Sequence, residues 1–152
     1  MLRGQSQSVK ISNMYVYERR VHVYETDLMG IVHHSNYIRY CEEARVHFLI
    51  ANGYLDFSNA SVFSLTVVGL EFKYIKPLRY GDTFRIQIQF RASGAKFCIQ
   101  YRITNTEGIV CAIAQTTHCS IDESFKVLRL NQKFISDMVE KNKEMVWTET
   151  WL

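Results

Sequence analysis

Tyr24-Glu25-Thr26-Asp27-Leu28-Met29-Gly30-Ile31-Val32-His33-His34-Ser35-Asn36-Tyr37 joins a strand-like segment to the most helix-like segment of the sequence, and the rest of the chain is read outward from it. Upstream, over 15–24, Tyr15, Tyr17, Val21 and Val23 alternate with Glu18, Arg20 and His22, the pattern of a strand buried on one face. Arg19 breaks that alternation. Downstream, over 37–52, Tyr37, Tyr40, Cys41, Ala44, Phe48 and Ala51 recur at helical steps, and Asn52-Gly53 supplies a C-terminal stop. Ser35 and Asn36 are both competent N-caps, but neither is followed by Glu or Gln at the capping-box position. Asp27 and Gly30 therefore fall in a loop just before a helix N-terminus. The first turn of a helix offers unpaired N–H groups and a positive dipole end, which together can hold a developing oxyanion. A carboxylate and an oxyanion donor on one short segment make it the candidate active site.

The chain beyond the helix reads as strands. After a loop over 55–61, a strand is expected over 62–76, kinked or bulged at Gly69 and ended by Pro77. Over 82–92, Phe84, Ile86, Ile88, Phe90 and Ala92 alternate with polar residues, so one face should meet the core and the other water. Ser93-Gly94-Ala95 turns into a strand over 96–105, and Thr106-Glu107-Gly108 into another over 109–122. A last amphipathic helix is expected over 131–145. The reading is a polar, flexible arm at 1–14, a single domain over 15–145 and an aromatic tail at 146–152, without repeats. Its class is α+β, an antiparallel sheet of about five strands wrapped around one long central helix.

Composition narrows the function classes. The 152 residues are 47% apolar and 22% charged, and no apolar run approaches the roughly 18 residues of a membrane span. A polar stretch, Gly4-Gln5-Ser6-Gln7-Ser8, stands where a secretory signal needs an apolar core, so a cytoplasmic protein with no transmembrane segment is expected. Cys41, Cys98, Cys111 and Cys119 lack metal-site or CxxC spacing and read as free thiols. A net charge of +3 without a basic run argues against nucleic-acid binding.

Tyr24, Asp27, Gly30, Ile31, Val32 and Tyr37, with His34, follow the spacing of a known signature, and Tyr74, Pro77, Gly81 and Asp82 continue the match across most of 15–122. The chain resembles the hotdog-fold acyl-thioesterases of the 4-hydroxybenzoyl-CoA thioesterase type, including the acyl-CoA thioesterases associated with the Tol-Pal genes. The resemblance implies an acyl-thioester hydrolase acting on acyl-CoA or on acyl groups of acyl carrier protein, without cofactor or metal. It implies Asp27 as catalytic base or nucleophile and the backbone N–H of His34 as oxyanion donor. Tyr24, Gly30, Val32 and Tyr37 then belong to the substrate site. It also implies a homo-oligomer, a dimer or a homotetramer built as a dimer of dimers, with the active site where subunits meet. A non-catalytic acyl-binding or scaffold protein of the same fold is the alternative.

Other residues carry blander readings. Adjacent His33 and His34 would point in different directions, which disfavours a metal site. Tyr37 and Tyr40 lie on the apolar helix stripe as core or pocket wall, and His22 and His118, on strands, read as structural. Glu43 is the second candidate carboxylate, because another hotdog lineage takes its catalytic acid from this helix; pairing with Arg39 or His47 is its ordinary reading. Lys73, Lys76, Arg79, Arg91, Lys96, Lys126 and Arg129 are candidate phosphate contacts.

Overall fold

In a computed structural model that describes residues 15–54 and 65–152, the chain runs β1 (Val16–Arg20), α1 (His34–Ala51), β2 (Leu65–Tyr74), β3 (Thr83–Ser93), β4 (Lys96–Asn105), β5 (Val110–Ile121), β6 (Val127–Leu128) and α2 (Gln132–Lys141). The expected arm over 1–14, the loop over 55–61 and the start of the strand expected from 62 lie outside the described residues. The strands form one antiparallel sheet in the order β1-β3-β4-β5-β2, with the short β6 paired to the end of β5. Register slips between Val67 and Gly69, as the Gly69 bulge requires. A Cβ on Gly69 would stand 3.4 Å from Thr117 Cβ across the ladder, so little space is available there for a side chain. Among the described residues, no helix is long and apolar enough to cross a membrane.

α1 lies over one face of the sheet. Its stripe of Tyr37, Tyr40, Cys41, Ala44 and Phe48 shares one core with Phe84, Ile86, Ile88, Phe90, Ile99, Tyr101 and Ile103. Tyr40 packs on Phe84 with ring centroids 4.7 Å apart, and Tyr15 meets Phe48 edge-on at 5.4 Å. Each large side chain so buried contributes about 1.5–3 kcal/mol. The period-2 alternation of β3 and β4 and the 3.6-residue stripe of α1 thus meet face to face, giving the α+β sheet-on-helix arrangement expected from the sequence.

Four local expectations are corrected. β1 stops at Arg20 because Glu25 folds back onto the His22 N–H, at 2.9 Å, and winds Val23–Glu25 into a 3-10 turn. Val23 is consequently 64% exposed and His22 lies outside the strand. The cap of α1 stands two residues before the first candidate, Ser35: His33 is the N-cap, its Nδ1 accepting from the Ser35 N–H at 3.3 Å. The C-terminal helix ends at Lys141, since Asn142 leaves helical geometry, and a 3-10 turn at Lys143–Met145 follows.

The fourth correction concerns the outer face of the sheet. Gln89 and Gln100 are buried, not wetted, because residues 146–152 cross over them. Val146 bridges Phe90 on the free edge of β3, and the Trp147 N–H donates to the Phe90 carbonyl at 2.9 Å. The Trp151 N–H then donates to Gln100 Oε1 at 2.8 Å, while Gln100 Nε2 donates to Gln115 and to Thr150 Oγ1. Arg91 and Arg102 lie over the Trp147 and Trp151 rings, at 4.6 and 4.2 Å.

Candidate active site

The loop between β1 and α1 is a tight turn with its own ladder. Thr26 bridges Val32, the Asp27 N–H donates to the Ile31 carbonyl at 2.9 Å, and the Gly30 N–H donates to the Asp27 carbonyl at 3.0 Å. Gly30 has φ +74°, a conformation that costs a residue with Cβ but not glycine. Asp27 Oδ1 accepts the Met29 N–H at 2.8 Å, so the carboxylate shapes the turn with one oxygen. Its Oδ2 has no hydrogen bond among the described residues. After the turn, Ile31 bridges Arg79 and the Val32 N–H donates to the Leu78 carbonyl at 2.8 Å, which anchors the loop to the segment after β2.

A cleft of about 380 Å³ opens beside this turn. Asp27, Val32, His34 and Tyr37, all singled out from the sequence, line it together with Met29, Ile31, Tyr74, Ile75, Lys76 and Pro77. His34 is the first residue of α1, and its N–H donates to no acceptor among the described residues. The Tyr74 hydroxyl donates to the His34 carbonyl at 3.2 Å, and its ring meets Tyr37 edge-on at 5.2 Å. Burial pushes the Tyr37 phenol up to about 12, so it stays protonated at neutral pH. The arrangement puts a residue bearing a carboxylate, Asp27, and the first residue of a helix, His34, on one cleft, residue types suited to addition at a carbonyl.

The remaining candidates fall elsewhere. Tyr24 is 76% exposed, stacked on His22 at 5.2 Å and outside the lining of this cleft. Gly30 shapes the turn without lining the cleft. Glu43 pairs neither with Arg39 nor with His47: its Oε2 accepts the Tyr17 hydroxyl at 3.0 Å and lies 3.1 Å from Arg19 Nε. His47 stacks on Tyr17 instead, at 4.9 Å. Of the basic candidates Lys76 lines the cleft, and Arg79 Nη1 stands 3.9 Å from where a Gly30 Cβ would be.

Sequence reasoning passed over Glu25 and the reason for Arg19. Glu25 is buried, and its carboxylate accepts Arg19 Nη2 at 2.5 Å, the Tyr40 hydroxyl at 2.7 Å and the His22 N–H. Burial alone would raise this carboxyl, but hydrogen bonds from His22, Tyr40 and Arg19 outweigh it and hold the group below the usual glutamate range. Burial and then the Glu25 carboxylate push the Tyr40 phenol upward. The available signals were Arg19 interrupting an otherwise regular strand and Glu25 standing at capping distance from His22.

Residues 21–135 match the family model described as the thioesterase-like superfamily. A 1,4-dihydroxy-2-naphthoyl-CoA hydrolase of Thermosynechococcus vestitus is 35% identical over 107 residues, covering 67% of this chain and 72% of that one. The solved structure of Slr0204, a 1,4-dihydroxy-2-naphthoyl-CoA thioesterase from Synechocystis, superposes with a TM-score of 0.74 at 27% identity, over 82% of this chain and 95% of that one. A hypothetical protein from Aquifex aeolicus superposes with a TM-score of 0.71 at 35% identity, over 80% and 97%. With its sheet laid on one long helix and its turn-to-helix signature intact, the chain belongs to the thioesterase-like superfamily and has the hotdog fold.

Proposed function

We propose that this chain is an acyl-CoA thioesterase, with residues 15–145 as its catalytic domain. The observation that carries the reading is Asp27, whose carboxylate is held by its own turn, on the lining of one cleft with His34, the first residue of α1. Asp27 takes a proton from water as that water adds to the thioester carbonyl, or adds itself and forms an anhydride that water resolves. The tetrahedral oxygen is received by the His34 N–H, and its collapse expels the thiolate, a leaving group that needs little protonation. Val32 and Tyr37 form the wall against the acyl group, Gly30 allows close approach of the turn, and Lys76 offers a charge to the phosphorylated arm. Glu43 is disfavoured because Arg19 and Tyr17 already hold it.

The working unit in this reading is a homodimer or a dimer of dimers. β2 is an edge strand paired only to β5 among the described residues, and it exposes Val67, Val68, Leu70 and Tyr74. Leu28 and Met29, at the tip of the Asp27 turn, are 108% and 77% exposed. An apolar edge and an apolar loop tip beside one cleft are what a second copy would cover, and that copy would be the one to meet Tyr24. Cytoplasmic localisation fits four cysteines that form no disulfide.

Free-thiol release from a panel of acyl-CoAs and acyl carrier protein thioesters tests the proposal. Turnover should appear with acyl-CoA and fall to background in Asp27→Asn, whose amide is nearly isosteric but neither base nor competent nucleophile. Parent-like turnover in a folded Asp27→Asn rejects the assignment of Asp27. Binding without turnover across the whole panel favours a non-catalytic acyl-binding protein.

A further inference from the structure

Glu25 stands where three parts of the site meet. Through its side chain it receives Arg19 from β1, the His22 N–H that starts the 3-10 turn, and the Tyr40 hydroxyl from the second turn of α1. Through its main-chain carbonyl it receives the His33 N–H at 2.9 Å and Asn36 Nδ2 at 2.8 Å, both at the N-terminus of α1. Asp27 follows it by two residues.

The cluster is a costly way to fill a core. The Arg19 guanidinium is largely buried, pairs with Glu25 through Nη2 and with Glu43 through Nε, and lies 4.7 Å over the Tyr40 ring. Its Nη1 is buried without a hydrogen-bond partner among the described residues. Apolar residues of similar volume usually stabilise such a place as well or better, and orphaned buried donors are rare enough to call for a reason. Rigid supports behind a reacting group supply one, because misplacing that group by about 1 Å can cost roughly 10² in rate.

We propose that Glu25 is a positioning residue for the reaction at Asp27: its carboxylate, gripped by Arg19, Tyr40 and the His22 N–H, and its carbonyl, gripped by His33 and Asn36, together set the Asp27 turn against the N-terminus of α1. This rests on the reading of Asp27 and the His34 N–H given above. Glu25 touches no substrate; it acts through the distance between those two groups. A glutamine cannot replace it, since its amide nitrogen must face either the Arg19 donor or the His22 N–H, donor against donor in both orientations. The conflict disappears when Arg19 becomes methionine: the amide nitrogen then faces an apolar group and its oxygen still accepts from His22 and Tyr40.

The experiment compares Glu25→Gln, Arg19→Met/Glu25→Gln, Tyr40→Phe and Asp27→Asn in the full chain. It reads kcat and KM on an acyl-CoA, oligomer size, and hydrogen exchange over residues 26–36. Glu25→Gln should lower kcat by about 10²-fold with KM within about twofold, and should speed exchange in 26–36 while other segments keep the parent's protection. The double variant should recover at least about tenfold of the lost kcat. Tyr40→Phe removes one donor and no charge; it should lower kcat about three- to tenfold and decides the matter if Glu25→Gln does not fold. Parent-like kcat or parent-like exchange in Glu25→Gln, a loss expressed only in KM, or no recovery in the double variant overturns the positioning role. Full activity in Asp27→Asn sinks the reading of Asp27 instead, and exchange over 26–36 then still decides whether Glu25 holds the turn.

Discussion

The Tyr74 hydroxyl donates to the main-chain carbonyl of His34 at 3.2 Å and so ties the edge strand β2 to the first residue of α1. Residues forty apart in sequence thereby hold one wall of the cleft. Tyr74→Phe keeps the ring that meets Tyr37 and removes only this bond. Its exposed setting limits the loss to about 0.5–1 kcal/mol of stability, and turnover should fall by less than about tenfold. Urea unfolding and kcat on the same preparation check both, and an unchanged kcat would show that this tie does not govern the helix N-terminus.

His34 separates backbone from side chain. His34→Ala should keep most activity, since the imidazole is not the group assigned to the oxyanion. His34→Pro removes the N–H at the first position of α1, where proline is tolerated, and turnover should fall by roughly 10²–10³. Circular dichroism and oligomer size must match the parent in both. Equal damage from Ala and Pro in folded protein would hand the role to the imidazole.

Removing residues 146–152 uncovers Gln89, Gln100 and the free edge of β3. Two arginine–tryptophan contacts of about 0.5–1 kcal/mol each disappear, and the two amides exchange their hydrogen bonds to the tail for weaker net bonds to water. The expected loss is roughly 2–4 kcal/mol, seen as a Tm lower by about 2–4 °C per kcal/mol. A truncated chain melting with the parent would mean the tail lies loose on the sheet.

Stability should depend on His118. Burial first, then Arg45, lowers its pKa from 6.5 to about 4, and its Nε2 faces Thr116 Oγ1 at 2.8 Å and Arg45 Nη1 at 3.4 Å. The unfolded chain therefore binds a proton near pH 6.5 that the folded chain refuses until about pH 4. This contribution is fully present above pH 6.5 and declines as pH falls toward 4, by about 3 kcal/mol in all. His118→Gln, an uncharged hydrogen-bonding replacement, should flatten that part of the stability–pH curve. Parallel curves for parent and variant between pH 6.5 and 4 would contradict the buried neutral imidazole.

Much of the fold is legible in the sequence because its signals are local. Alternation in Phe84 to Ala92 and the three- and four-residue steps from Tyr37 to Ala51 each report which face of one element is apolar, and apolar faces must meet. The turn was legible for the same reason: Asp27 and Gly30 satisfy backbone demands within a few residues of themselves. Asp27, Val32, His34 and Tyr37, which the family signature picks out, line one cleft, whereas Tyr24 and Gly30 of the same signature do not.

Tertiary structure alone decided what depends on partners distant in sequence. Arg19 looked like a break in a strand because alternation assumes an apolar interior; only the approach of Glu25 and of Tyr40 and Glu43 on α1 makes its inward charge tolerable. Val23 is exposed because a carboxylate two residues later ends the strand, a side-chain-to-backbone bond that outweighs local propensity. Gln89 and Gln100 are buried by a tail fifty residues or more away. Hydrophobic period says which face turns inward, but it carries no record of which polar groups will find one another, since that is settled by geometry only after the apolar faces have closed.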